Sequence, residues 1–317
     1  MVHSDASDPE APDVELGEHE PAASTSAAGA RRPPRERLTH FLAIPLHGQF
    51  FETPPASYAA FKAAVRQFTV DEALSEHDRD ADATLDGEPS TRIPDGAIRE
   101  FNTLHLTLGV MSLRDGDAVT NAISTLESLD LKQFLPTSTA SGDSSAATPN
   151  TAPLRVDLKG LSPMSTTPSH IKKCSVLMMP PTDPTGRLYP FANALRTHFA
   201  ALGILQEDDR PLKLHATLVN TVYCKPDKAA RDRSRKEKEK NAKRKGGKGK
   251  GKRIDFRFDA SEVLERYAGH VFGEGLEIDR VQICKMGAKK GVEVVGEDGQ
   301  VDIVGGGYEV VASKKIW

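Results

Sequence analysis

The feature that most restricts this chain is a repetition. Residues 103–111 read TLHLTLGVM and residues 213–221 read KLHATLVNT, so His, an apolar residue, Thr and Leu recur in that order about 110 residues apart. Each copy sits inside a larger pattern of strand, helix, strand with His-x-Thr, helix, strand. In the first half this pattern predicts a strand over 37–46 and a helix after Pro54-Pro55 with Tyr58, Phe61, Val65 and Phe68 on one stripe. The strand LHLTLGV follows, then a helix over about 115–130 carrying Val119, Ile123, Leu126 and Leu129, then a strand over 154–161. In the second half it predicts a strand over 173–180 and a helix over 184–203, with Leu188, Phe191, Leu195, Phe199 and Leu202 inward and Gly203 as its cap. A strand over 212–223 comes next, then a helix started by Asp259 and Glu262 as a capping box and carrying Val263, Leu264 and Tyr267. Two last strands, 276–286 and 308–317, flank a Gly-rich acidic turn region. A duplicated chain of this kind is expected to form two similar lobes, roughly 37–161 and 170–317, facing one another across a central cleft.

Composition separates the folded part from its additions. Residues 1–30 hold Asp5, Asp8, Glu10, Asp13, Glu15, Glu18 and Glu20 with no Lys or Arg, too little apolar area to fold, so 1–36 reads as a disordered acidic tail. Flexible insertions are expected at 77–96, 136–153 and 225–253. The last carries fifteen Lys or Arg against four Asp or Glu, which leaves the remainder strongly acidic although the whole chain nets only −3. That block reads as a nuclear-import signal, an RNA-phosphate contact or a solvated loop; without an aromatic residue, any contact with nucleic acid is electrostatic and falls steeply with salt. No secretory signal opens the chain and no apolar run approaches membrane-spanning length, so the expectation is a soluble intracellular protein with no membrane partner, a monomer on its own. Cys174, Cys224 and Cys284 stand singly, without metal-ligand spacing, and read as reduced thiols.

Residues two apart on a strand share a face. Leu104, Leu106, Leu108 and Val110 therefore take one face of the first motif, and Thr103, His105 and Thr107 the other. In the second motif Leu214, Ala216 and Leu218 oppose Lys213, His215 and Thr217. Two imidazoles titrating near neutrality suit a general base and a general acid, and two hydroxyls suit donors to non-bridging phosphate oxygens. His105, Thr107, His215 and Thr217 are the candidate catalytic residues; Lys213, Phe41 and Tyr308 are weaker candidates for substrate binding. No carboxylate or cysteine accompanies either tetrad at ligand spacing, so no metal and no cofactor are expected. One such tetrad alone is more often a strand histidine with a local hydrogen bond, whereas two at equivalent places in a duplicated pattern point to a shared site. His40, His170 and His198 read as ordinary surface or core histidines.

The paired HLTL and HATL tetrads resemble the 2H phosphoesterase superfamily. THFLAIPL, LHLTLGVMSL, KLHATLVNT, FDASEVLERY and VFGEGLEIDRVQIC are similar to the phosphoesterase domain of activating signal cointegrator 1 complex subunit 1 and, more distantly, to the nuclear-localisation-signal domain of A-kinase anchoring protein 7. The resemblance implies an α+β, bilobal fold of two antiparallel sheets flanked by helices, with pseudo-two-fold symmetry and a central cleft. It implies metal-independent phosphodiesterase chemistry on 2′,3′-cyclic, 2′,5′-linked or 3′-terminal phosphodiesters of RNA or nucleotides. It also implies a setting in the nucleus, with the cytoplasm as alternative, beside a helicase-containing coactivator or repair complex. The competing reading is a nucleotide- or RNA-end-binding module with little turnover.

Overall fold

Periodicity of two for the strands and 3.6 for the helices accounts for most element boundaries in the computed structural model, which describes residues 37–48, 55–74, 91–94, 96–136, 152–224, 256–295 and 301–317. Arg37–Trp317 forms one compact unit. The expected tail 1–36, most of 77–96, 137–151 and the block 225–253 lie outside the described residues.

The first half runs β1 (His40–Pro45), α1 (Ala56–Leu74), β2 (His105–Met111), α2 (Gly116–Ser128) and β3 (Leu154–Lys159). The second runs β4 (Ser162–Pro163), α3 (Pro168–Lys172), β5 (Val176–Met179), β6 (Pro181–Thr182), α4 (Leu188–Ala201), β7 (Ala216–Asn220), α5 (Ser261–Arg266) and β8 (Val271–Ile278). Four more strands close the chain: β9 (Arg280–Lys285), β10 (Val292–Val295), β11 (Val301–Val304) and β12 (Val310–Lys315). The stripe Tyr58, Phe61, Val65 and Phe68 is buried as its spacing requires. Asp115 caps α2, its side chain accepting from the Ala118 N–H at 2.8 Å.

Every strand pair is antiparallel. One sheet of seven strands has the order β12-β9-β1-β2-β7-β5-β4, a second has β6-β3-β8, and β10 pairs with β11 as a ribbon. The duplication is legible in this order. β1-β2 of the first half and β7-β5 of the second meet back to back about a two-fold axis between β2 and β7, and β3 and β8, the third strand of each pattern, pair in the other sheet. The halves thus interlock through both sheets. One core cluster takes Leu42, Ile44, Leu106, Leu108, Ala216 and Leu218 from the large sheet, Val156, Leu158, Leu276 and Ile278 from the small one, and the apolar faces of the helices. On the opposite face of the large sheet Phe41, Ala43 and Cys284 form a small cluster with Val110 and Tyr308 packed against it.

Several expectations change. The strand predicted over 276–286 is two strands in different sheets, β8 and β9, divided at Asp279. There the carboxylate accepts from the Arg280 guanidinium at 2.7–3.1 Å and the carbonyl accepts from the Ile316 N–H at 2.7 Å, which turns the chain from one layer to the other. The helix predicted to 203 stops at Ala201, so Leu202 lies beyond its apolar face and is 52% exposed; Gly203, with φ 68°, does end it. Asp259 accepts from the Ser261 N–H and hydroxyl in a local turn, and Ala260 occupies the cap position without a side-chain bond, so no capping box forms. The predicted turn region between the last strands contains the β10–β11 ribbon. Further, the strand expected over 212–223 is regular only from Ala216 to Asn220, and Thr221–Tyr223 is a 3-10 turn.

Candidate active site at the β2–β7 junction

Leu106 pairs with Ala216 across β2 and β7, and both are fully buried in the main core. Alternation then sends the residues on either side of each, His105 and Thr107 on β2, His215 just before β7 and Thr217 on it, to the opposite face. In an antiparallel ladder this brings His105 beside Thr217 and Thr107 beside His215, with directly opposed side chains roughly 5 Å apart at Cβ. The four candidate catalytic residues meet on one patch of one sheet, and all four remain partly open to solvent. The contact is strand to strand.

The two imidazoles are held in the same way. His105 Nδ1 lies 2.7 Å from the Thr103 carbonyl, and His215 Nδ1 lies 2.7 Å from the Lys213 carbonyl, each acceptor two residues upstream. A carbonyl only accepts, so Nδ1 carries the hydrogen in both rings and Nε2 is the atom each presents outward. Among the described residues neither Nε2 nor the hydroxyls of Thr107 and Thr217 bond to the protein. The Thr103 carbonyl is itself fixed by the 3-10 turn Phe101–Thr103, where the Thr103 hydroxyl donates to the Glu100 carbonyl at 2.6 Å.

The surroundings differ. Phe41, 4% exposed, stands with its ring 4.8 Å from that of His105, and Tyr308 meets His105 edge-on at 5.3 Å and Phe41 edge-on at 4.8 Å. Phe41 is therefore packing beneath the imidazole, leaving little face for a base; Tyr308 is half-buried at its rim. Burial pushes the His105 pKa down to about 4, the Thr103 hydrogen bond opposes that shift, and the positive charge of Arg99 and proximity to His215 add to it. His47, just past β1, is likewise lowered to about 4, chiefly by burial and then by His105 and Arg280. Lys213 is exposed and its ammonium donates to the Met164 carbonyl at 3.2 Å.

One site neighbour escaped sequence reading. Arg99 donates from Nη2 to the Tyr308 hydroxyl at 3.1 Å, and nothing in its local sequence marks it. The run Gly305–Gly306–Gly307 sets Tyr308 in place with φ of 71°, 73° and 89°. A Cβ on Gly306 would lie 2.4 Å from the Gly291 nitrogen and one on Gly307 2.9 Å from the Asn102 carbonyl oxygen, so only glycine allows this approach. His40, His170 and His198 lie apart from the tetrads in hydrogen bonds or ring contacts with Thr39, Thr167 and Phe134.

Among known proteins, the sequence profile described as "AKAP7 2'5' RNA ligase-like domain" matches residues 38–293. No curated protein matches the chain. Three solved structures resemble it: Escherichia coli LigT complexed with 3'-AMP, with 13% identity over 88% of this chain and 98% of that one and a TM-score of 0.39; TT0787 of Thermus thermophilus, with 13% identity over 88% and 97% and a TM-score of 0.40; and a structure described only as a phosphoesterase, with 13% identity over 89% and 99% and a TM-score of 0.36. Likeness at that level adds nothing to the strand pairing described above. The profile match spans most of the chain, both histidine tetrads, the small sheet and all of the large sheet but β12, and on it this protein belongs to the AKAP7 2'5' RNA ligase-like family of 2H phosphoesterases.

Proposed function

We propose that this chain hydrolyses a phosphodiester at an RNA end or in a nucleotide, 2′,3′-cyclic, 2′,5′-linked or 3′-terminal, with His105 as base and His215 as acid. The observation that carries this reading is the matched pair of Nδ1 bonds, to Thr103 and to Lys213, which leaves two Nε2 atoms on one patch beside two unengaged hydroxyls. His105, kept neutral by burial, takes a proton on Nε2 from the attacking water while its oxygen bonds to phosphorus. The Thr107 and Thr217 hydroxyls donate to the non-bridging oxygens, where charge accumulates. The bond from phosphorus to the ribose oxygen breaks, and protonated His215 delivers its Nε2 hydrogen to that leaving oxygen. Each turnover leaves His105 protonated and His215 neutral, and exchange with water resets both.

The donor set of imidazoles and hydroxyls suits proton transfer without a metal, so the test is hydrolysis of 2′,3′-cyclic nucleotides and short oligoribonucleotides in EDTA. Wild type is expected to turn over, and His105→Ala and His215→Ala to lose most of that activity. Binding without product in the wild type would replace this reading with that of an RNA-end sensor. The lysine- and arginine-rich block 225–253 and the resemblance to the cointegrator domain support an RNA substrate and a nuclear, helicase-containing complex as the setting. Deleting residues 228–252 is expected to weaken RNA binding and flatten its salt dependence; an unchanged salt slope would reject the phosphate contact.

A further inference from the structure

A phosphodiester brings a full negative charge to this patch and gathers a second as it becomes a phosphorane, yet of the four tetrad residues only protonated His215 is cationic, and it gives up its proton during the reaction. The Lys213 ammonium is engaged by the Met164 carbonyl. A cation nonetheless reaches the same face by a route that the duplication does not foreshadow. Residues 97–99 take up the pairing with β7 that β2 leaves off: Asn220 N–H donates to the Ala97 carbonyl at 2.8 Å, Ile98 bridges Val219, and Arg99 N–H donates to the Leu218 carbonyl at 2.7 Å. Ile98 packs on the main core, so alternation sends Arg99 to the face that carries the tetrads. Its Nη2 donates to the Tyr308 hydroxyl, and the Tyr308 ring stands edge-on to His105. The influence of Arg99 on His105 agrees with that placement.

We propose that Arg99, aimed by Tyr308, is the cationic arm of this site and closes its guanidinium on a non-bridging oxygen of the scissile phosphodiester. The assignment rests on the phosphodiesterase reading above. Arginine fits the duty because its charge is permanent and its fork of donors can engage a phosphate while one nitrogen stays on the tyrosine. Tyr308 acts through Arg99 and is a positioning residue.

The test separates charge recognition from shape. A dinucleoside phosphate and its neutral methylphosphonate isostere are compared as inhibitors of 2′,3′-cyclic nucleotide hydrolysis by wild type and Arg99→Gln. Wild type is expected to prefer the anionic diester. In Arg99→Gln that preference should shrink at least about tenfold with methylphosphonate affinity unchanged, and kcat/KM should fall on the order of 10²-fold, as for loss of one transition-state donor. A merely structural role would weaken both ligands alike, and that result, or an unchanged preference, overturns the proposal. Should Arg99→Gln fail to fold, Arg99→Lys is expected to keep the preference for the anion while kcat/KM falls about tenfold; an unchanged kcat/KM there overturns the forked contact. Tyr308→Phe should raise KM for the cyclic nucleotide and leave methylphosphonate inhibition as in wild type, and weakening of both would reassign Tyr308 to packing. Wild type that neither binds nor hydrolyses any of these ligands defeats the phosphodiesterase reading itself, a failure visible before any variant is made.

Discussion

The two histidine tetrads have almost the same sequence and the same internal hydrogen bond, yet they lie in unlike surroundings. His105 is wedged against Phe41 and Tyr308, and among the described residues no aromatic ring contacts His215. The difference starts one strand away. β1 places Ala43 beside Thr107 and Phe41 further along the same face, whereas β5 places Met178 beside Thr217. A duplicated motif supplies two chemically equivalent groups; the strands that flank each copy give them different neighbours.

The strongest way to break that comparison is to remove one ring at a time. His105→Ala and His215→Ala are each expected to lower kcat by 10²- to 10⁴-fold, and the double variant by little more than the worse single, because the two act as a unit. Additive losses in a double-mutant cycle on a 2′,3′-cyclic nucleotide would mean the rings work independently. Thr107→Val and Thr217→Val should each lower kcat on the order of 10²-fold with less change in KM; a purely KM effect would assign them to ground-state binding.

The pH profile sharpens the comparison. With His105 lowered to about 4, the acid limb of kcat/KM is expected near pH 4 and well below the ordinary histidine value of about 6.5. Phe41→Ala, which opens the ring to water, should move that limb upward while destabilising the fold by about 3–5 kcal/mol. A limb that stays put would show that the aromatic wedge is not its cause. Folding stability should report the same shift. His47 and His105 hold their protons less tightly folded than unfolded, so their contribution is complete above pH 6.5 and is lost as pH falls toward 4. Equilibrium denaturation across that window checks the sign. The smallest effect is expected from Gly307→Ala, destabilising by about 1–3 kcal/mol through its positive φ and the Asn102 carbonyl, and dulling the pH shift by loosening Tyr308.

Much of this was legible because it is local. The stripe Tyr58, Phe61, Val65, Phe68 and the alternation around His105 depend on spacing along the chain, and their burial follows from it. Within each tetrad, the His and the Thr share a face because of a period of two. What spacing cannot carry is which strand lies next to which. Asp279 switches sheets because its carboxylate meets Arg280 and its carbonyl meets Ile316, a contact no period announces. Arg99 reached the site by strand pairing from 97–99, whereas the burial of Phe41 under His105 is the core packing that its place in an apolar strand favours. The bond from Lys213 to the Met164 carbonyl, 49 residues away along the chain, is of the same kind as the placing of Arg99.

The interlocked order β1-β2-β7-β5, with β9 against β1 and β8 against β3, also bears on how this chain is made. A ribosome releases β1 and β2 well before β7 and β9 exist, so for that interval β2 and β1 each offer an open edge with no partner. Contacts so remote in sequence form slowly, and the growing N-terminal half has no finished structure to wait in. Expressed alone it should therefore be a substrate for chaperones, and the two halves supplied as separate chains should recover structure only when they are synthesised together.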